Sequence, residues 1–142
     1  MLAEHAGGGH FLTLLRWERA MSDCRPISLF SLQTARQLGE EVSAVLDKRR
    51  FRANVYLNLG AAKGFWENEL LGYKLRIGPT VVVSIVERDS RCKMITLEPD
   101  TALPNPELLR KVTHDHDRVA GLYGAVLAEG IIRVDDVVAV LD

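Results

Sequence analysis

Val81-Val82-Val83-Ser84-Ile85-Val86 runs straight into Glu87-Arg88-Asp89-Ser90-Arg91-Cys92-Lys93, and the fold is read outward from this stretch. A run of β-branched residues, with Gly78-Pro79 before it and charges after it, predicts a buried strand. Cys92 then sits just beyond the strand end, where a rigid scaffold presents one thiol. Arg88, Arg91 and Lys93 crowd it with positive charge, which favours the thiolate, the form that attacks electrophiles and binds metals. The competing reading is a small buried cysteine with basic neighbours, a common core residue. This segment alone leaves both readings open.

The bulk numbers narrow the classes. A chain of 142 residues suits one domain with a real core. The 47% hydrophobic and 26% charged content is that of an ordinary globular protein. A net charge of -1 argues against general nucleic-acid binding, which needs a basic excess. The basic residues cluster locally instead, which suits a small anionic ligand. No apolar run approaches the roughly 18 residues of a membrane-spanning helix. The start of the chain, with Glu4, His5 and a glycine triplet, lacks the basic and apolar regions of a signal peptide. A cytoplasmic protein with Cys24 and Cys92 as free thiols is expected. Without a CxxC pair or suitably spaced histidines, no zinc site is expected.

Residues 1–24 are expected to form a truncated or poorly ordered N-terminal segment, with a short strand at Phe11–Leu15. Pro26–Phe30 reads as the next strand. Ser31 caps a helix carrying Leu32, Ala35, Leu38, Val42, Val45 and Leu46 at near-helical spacing. Gly39 weakens that helix by about 1 kcal/mol relative to alanine, so a break there is expected. Further strands are predicted at Arg52–Leu59, Tyr73–Ile77 and Met94–Leu97. Pro106–His116 is the clearest helix, with Asn105 as N-cap and proline at the first position. Leu122–Leu127, Ile131–Arg133 and Val137–Leu141 look like a closing meander. The sum is an α+β, β-rich domain whose strands form a barrel-like mixed sheet with a few flanking helices.

A second cluster, Arg49-Arg50-Phe51-Arg52-Ala53-Asn54, complements the cysteine. Read as a strand start, it puts Arg50, Arg52 and Asn54 on one face, offering two guanidinium forks and an amide to a phosphate or another oxyanion. Phe51 then points into the core, and simple surface solvation is the competing account of the arginines. His114 and His116, two apart on a helix, face different directions and do not converge on a metal, so a solvated helix end is expected. Asp135-Asp136 and Glu98 with Asp100 read as turn residues, and Trp17 and Trp66 as core or interface anchors.

These segments carry a resemblance. Arg49–Asn54, Phe65-Trp66-Glu67 through Leu71-Gly72 to Leu75-Arg76-Ile77-Gly78, Ser90-Arg91-Cys92 with Thr96–Thr101, and Gly121-Leu122-Tyr123-Gly124 resemble the MOSC domain, the molybdenum cofactor sulfurase C-terminal family. The similarity runs from about Arg25 to the end and makes 25–142 the expected domain. It implies a barrel-like mixed fold that binds a molybdopterin-type cofactor. Cys92 would be the metal ligand or a persulfide carrier. Arg52 and Asn54 match the family's Arg-x-Asn, and Arg50 joins them. Ser90 and Arg91 flank the cysteine, and Ser31 and Thr34 fall in a strand-to-helix segment that contributes cofactor contacts in relatives. The implied function is a small molybdenum-dependent oxidoreductase acting on N-hydroxylated or similar compounds. Its electrons would come from a separate protein, since no flavin, haem or iron–sulfur motif is visible. The alternative is a non-catalytic sulfur or cofactor carrier served by a sulfur-donor protein. A homo-oligomer is compatible with either, and pyridoxal phosphate is not expected.

Overall fold

The computed structural model describes residues 25–141; Phe11–Leu15, Trp17 and Cys24 lie outside them. The first described strand, β1 (Ile27–Ser31), runs directly into helix α1 (Leu32–Glu41). Ser31 makes that junction: its backbone is extended and its Oγ accepts from Thr34 N, an N-cap bond that satisfies one of the helix's free donors. The helix stops at Glu41, before the expected Val45 and Leu46, and Ser43 takes a left-handed φ of 51°. Gly39 explains the stop. Ala44 O folds back to where a Cβ on Gly39 would lie 2.6 Å away, so only glycine admits the turn there.

The remaining elements are β2 (Val55–Leu57), β3 (Lys74–Ile77), β4 (Val81–Ser90), α2 (Pro106–Asp115), β5 (Val119–Ala128) and β6 (Val138–Leu141). They build one six-stranded mixed sheet of order β2-β1-β5-β4-β3-β6, curled as a half-barrel. The expected β-rich α+β class is therefore present. β1 and β2 pair in parallel across α1, and every other pairing is antiparallel. The β1–β5 register sets Leu29 opposite Leu122, and the β3–β4 register sets Leu75 opposite Val83.

Several expectations are corrected. The predicted strand Arg52–Leu59 shrinks to Val55–Leu57, because Lys48–Phe51 is a 3₁₀ turn and Arg52 adopts φ 52°. Asp47 stabilises that turn by accepting from Arg49 N at 2.7 Å. Met94–Leu97 is also not a strand, since Lys93–Thr96 winds into a 3₁₀ turn held by Thr96 Oγ1 donating to Lys93 O. Ile131–Arg133 forms no strand, and β6 returns to pair with β3 rather than β5, so the C-terminus is no meander. Finally, β4 alternates between buried and more open positions instead of being buried on both faces. Helix α2 matches its prediction, although Asn105 makes no side-chain cap bond.

Alternation along the strands divides the core in two. Leu29 packs with Leu75, Ile77, Val83, Ile85 and Leu122. Its neighbour Phe30 faces the other way, joining Phe51, Leu38, Leu108, Val112 and Ala120 between the sheet and the helices. Phe51 is buried there as expected, stacked on Phe30 with ring centroids 4.0 Å apart. Ala120 and Leu122 are two residues apart yet enter different clusters. Gly121 between them, at φ 97°, breaks the strand alternation where the β4–β5 register shifts.

Candidate functional site

The end of β4, the turn at Cys92 and the turn Lys48–Phe51 meet around a cleft of about 170 Å³. It gathers Arg50, Arg52, Asn54, Ser90, Arg91 and Cys92. The arginine cluster reaches it through a 3₁₀ turn, not along the expected strand face. Ser28, Asp89 and Tyr123 also line it and were not singled out from the sequence.

Cys92 follows the strand end by two residues and is exposed, which removes the reading of a buried core cysteine. The basic neighbours are deployed differently from the expectation. Arg91 turns inward: its Nε donates to Ala120 O at 2.6 Å and its Nη1 to Phe51 O at 2.9 Å. Its Nη2 lies 2.9 Å from Asp89 Oδ2, an ion pair rather than an aligned hydrogen bond. Its guanidinium also sits 5.5 Å from the Phe30 ring centroid and 5.6 Å from that of Phe51, within cation–π range. Burial pushes the Arg91 guanidinium below its ordinary pKa, and the Asp89 carboxylate opposes that shift. Gly121 makes the arrangement sterically possible. A Cβ there would come within 2.8 Å of Arg91 Nη2 and 2.9 Å of Leu29 O. The first job of Arg91 is thus to tie β4, β5 and the Phe51 turn together beneath the cleft.

Arg50 is the cation with something left to give. Only 9% of it is exposed, and its Nη1 donates to Thr96 O at 2.8 Å, bracing the turn that follows Cys92. Its buried Nε has no partner. A buried donor left unpaired costs about 1–3 kcal/mol. Arg52 is exposed at the same cleft. Asn54 is fixed to β1: its Oδ1 accepts from Ser28 N at 2.8 Å and Ser28 Oγ at 2.9 Å. That pairing leaves its amide nitrogen for a ligand.

Ser31 and Thr34 do not join this cleft. Both are fully buried, with Ser31 Oγ donating to Glu67 Oε2 at 2.9 Å and Thr34 Oγ1 to Glu67 Oε1 at 2.6 Å. Phe65 N donates to Thr34 Oγ1 at 2.7 Å. These bonds fasten the turn Trp66–Leu70 to the start of α1, where the helix dipole also favours the Glu67 carboxylate. Glu67 was part of a quoted sequence motif, but nothing in its spacing signalled burial.

The other candidates resolve into structure. His116 is not solvated: its ring stacks on Phe65 at 3.8 Å, and Nε2 lies 2.8 Å from Glu41 Oε2, joining the ends of α1 and α2. Glu98 accepts from Asp100 N, Thr101 N and Thr101 Oγ1, and Asp136 accepts from Arg133 N, both as turn residues. Asp47, Glu98 and Asp100 approach one another, but Arg49 already supplies the cation, bridging Asp47 and Asp100. Trp66 is 46% exposed, so it is no core anchor.

A family model for the MOSC domain matches residues 17–139. The chain belongs to the MOSC family. None of the curated proteins compared with this MOSC chain matches it. Among solved structures, the crystal structure of YiiM from Geobacillus stearothermophilus matches with a TM-score of 0.64 and 17% sequence identity. The match covers 83% of this chain and 55% of that one, so this MOSC chain spans about half the length of that structure. At that identity the likeness is one of fold. MOSC domains are associated with molybdenum-cofactor proteins, and the cleft of this one offers an exposed thiol beside an unpaired buried guanidinium donor. Among the described residues, no helix is long and apolar enough to cross a membrane.

Proposed function

We propose that this MOSC domain binds a molybdenum cofactor of the molybdopterin type at the Cys92 cleft. The observation that carries the reading is the gathering of Arg50, Arg52 and Asn54 with the exposed Cys92 thiol in one cleft. A soft thiolate suits a metal whose other ligands are sulfur, and guanidinium groups suit the cofactor's phosphate. Cys92 would serve as the metal's protein ligand. Arg50 and Arg52 would hold anionic oxygens, and the amide of Asn54 would orient them. Ser90 flanks the thiol, and Arg91 supports the floor. When bound, the cofactor supplies two-electron redox chemistry. The chain's own residues bind it, orient it and keep one face of the thiol against protein. The activity that follows is reduction of N-hydroxylated or similar compounds in the cytoplasm, with electrons from a separate protein.

The exposure of Cys92 favours a second reading, in which the thiol hands sulfur or cofactor to another protein without turnover. Metal analysis of protein from a cofactor-competent host, wild type against Cys92→Ser, tests the first reading. Molybdenum near one per chain, lost in the variant, is the expected result. Its absence from both proteins sinks the cofactor reading and leaves the carrier.

A further inference from the structure

The outer edge of β6 is apolar and open. The register pairs Val138 with Ile77 and Val140 with Leu75, so both valines share the face of the Leu29 core cluster. Ile77 and Leu75 are 3% and 0% exposed there, yet Val138 is 37% and Val140 49% exposed. The apolar face thus runs to the last strand and stops without cover. Backbone polarity adds to this. Gly78 N donates to Val137 O at 2.9 Å, and an antiparallel ladder repeats every two residues. Val137, Ala139 and Leu141 therefore address β3, while Val138 and Val140 turn their N–H and C=O groups outward. Among the described residues, no strand pairs with that side. Edges are ordinarily blunted by lysine, proline or a bulge. Val137–Leu141 has no charge and no proline, and its pairing with β3 runs without a register shift.

We propose that β6 pairs antiparallel with β6 of a second copy, across a two-fold axis at Ala139, joining the two six-stranded sheets into one. The edge is its own complement in that register. Val138 of each copy lies opposite Val140 of the other, and these are the residues whose outward N–H and C=O groups exchange bonds. Their side chains meet on one face, closing the seam and extending both inner clusters. A slip of one residue would set Val138 opposite Ala139, whose backbone groups already serve β3. Charge fits the same partner. Lys74, exposed on β3 beside Leu141, lies toward the end of the seam where Asp135 and Asp136 of the second copy enter. A second copy thus brings strand, apolar face and opposite charge together. No residue of β3 or β6 lines the Cys92 cleft, so this proposal stands or falls apart from the cofactor reading.

Sedimentation of the full-length protein is expected to give a mass near twice the 15.8 kDa of one chain, falling toward the monomer on dilution. Val140→Lys puts a charge into the seam and should raise the dissociation constant by about tenfold or more. Position 140 is half exposed in one chain, so the fold keeps the lysine. Protection of the Arg76 amide from exchange, which reads the β3–β6 ladder, should persist in that variant. Cysteine cross-linking reads the register in a Cys24→Ser, Cys92→Ser background. Ala139→Cys should oxidise to a linked dimer, because the two-fold sets its two Cα atoms roughly 4.5 Å apart, within disulfide reach. Val138→Cys should link about tenfold more slowly, since Val140 and not its own copy lies opposite. A monomer at every concentration, a dimer that Val140→Lys leaves intact, or equal linking at 138 and 139 overturns the proposal. Protected Val138 and Val140 amides in a monomer also overturn it, and assign this edge to the chain's own Phe11–Leu15.

Discussion

Arg91 and Asp89 form an ion pair almost wholly out of solvent, with 2.9 Å between Nη2 and Oδ2. Asp89 is 3% exposed and Arg91 7%, so the pair is screened very little. The attraction offsets a large desolvation cost, and removing one partner leaves the other charged and buried. Asp89→Ala is expected to cost about 3–5 kcal/mol of stability, read as a lowered midpoint in urea. A loss under about 1 kcal/mol would mean that Arg91 finds another partner or water.

Gly121 makes a separate prediction. Its φ of 97° is strained for any side chain, and a Cβ would meet Leu29 O at 2.9 Å as well as Arg91. Gly121→Ala should cost more than about 2 kcal/mol in thermal or urea unfolding. It should also displace Arg91, raising the solvent exchange of the β5 amides near Ala120.

The bracket on Glu67 is tested by removing one hydroxyl while keeping shape. Thr34→Val leaves Glu67 Oε1 without its 2.6 Å donor and Phe65 N without its acceptor. A loss of about 2–4 kcal/mol is expected, while the iodoacetamide rate of Cys92 should hold, because neither Thr34 nor Glu67 lines that cleft.

The junction of α1 and α2 carries a pH dependence. Burial pushes the Glu41 carboxyl up, but bonds from Gln37 and His116 and the charges of His116 and Lys111 outweigh it, and the net shift is downward. A carboxyl with a lowered folded-state pKa stabilises the protein above its unfolded value and loses that contribution as pH falls through the folded one. The stability gap between wild type and Glu41→Gln should therefore be full near neutrality and shrink below about pH 4.3. Melting temperatures of both proteins over that range check the sign; a gap that widens with acid contradicts it.

Much of this architecture was legible in the chain, for reasons that differ by element. Ser31 and Pro106 announced helix starts because caps and first-turn prolines are local chemistry. The β4 run and Tyr73–Ile77 were visible because β-branched residues and alternation report directly on a sheet. The two 3₁₀ turns were misread because Arg50-Phe51-Arg52 and Met94-Ile95-Thr96 have the side chains of strands, while tertiary bonds decided their backbone. Arg50 to Thr96 O is one such bond, 46 residues apart in sequence. The site followed the same division. Cys92, Arg50, Arg52 and Asn54 could be chosen by residue type. The inward turn of Arg91 and the burial of Ser31 and Thr34 against Glu67 depend on distant partners that no local pattern reveals.

The place of β5 in the sheet has a consequence for how the protein is made. It is the strand that joins β1 and β2 on one side to β4 and β3 on the other. Until Val119–Ala128 has left the ribosome, the nascent chain holds two half-sheets, each with a raw edge and half a hydrophobic cluster. Before then Arg91 lacks Ala120 O. Synthesis of this domain therefore includes a late, long-range zipping step, during which the unfinished edges are most open to chaperones and to one another.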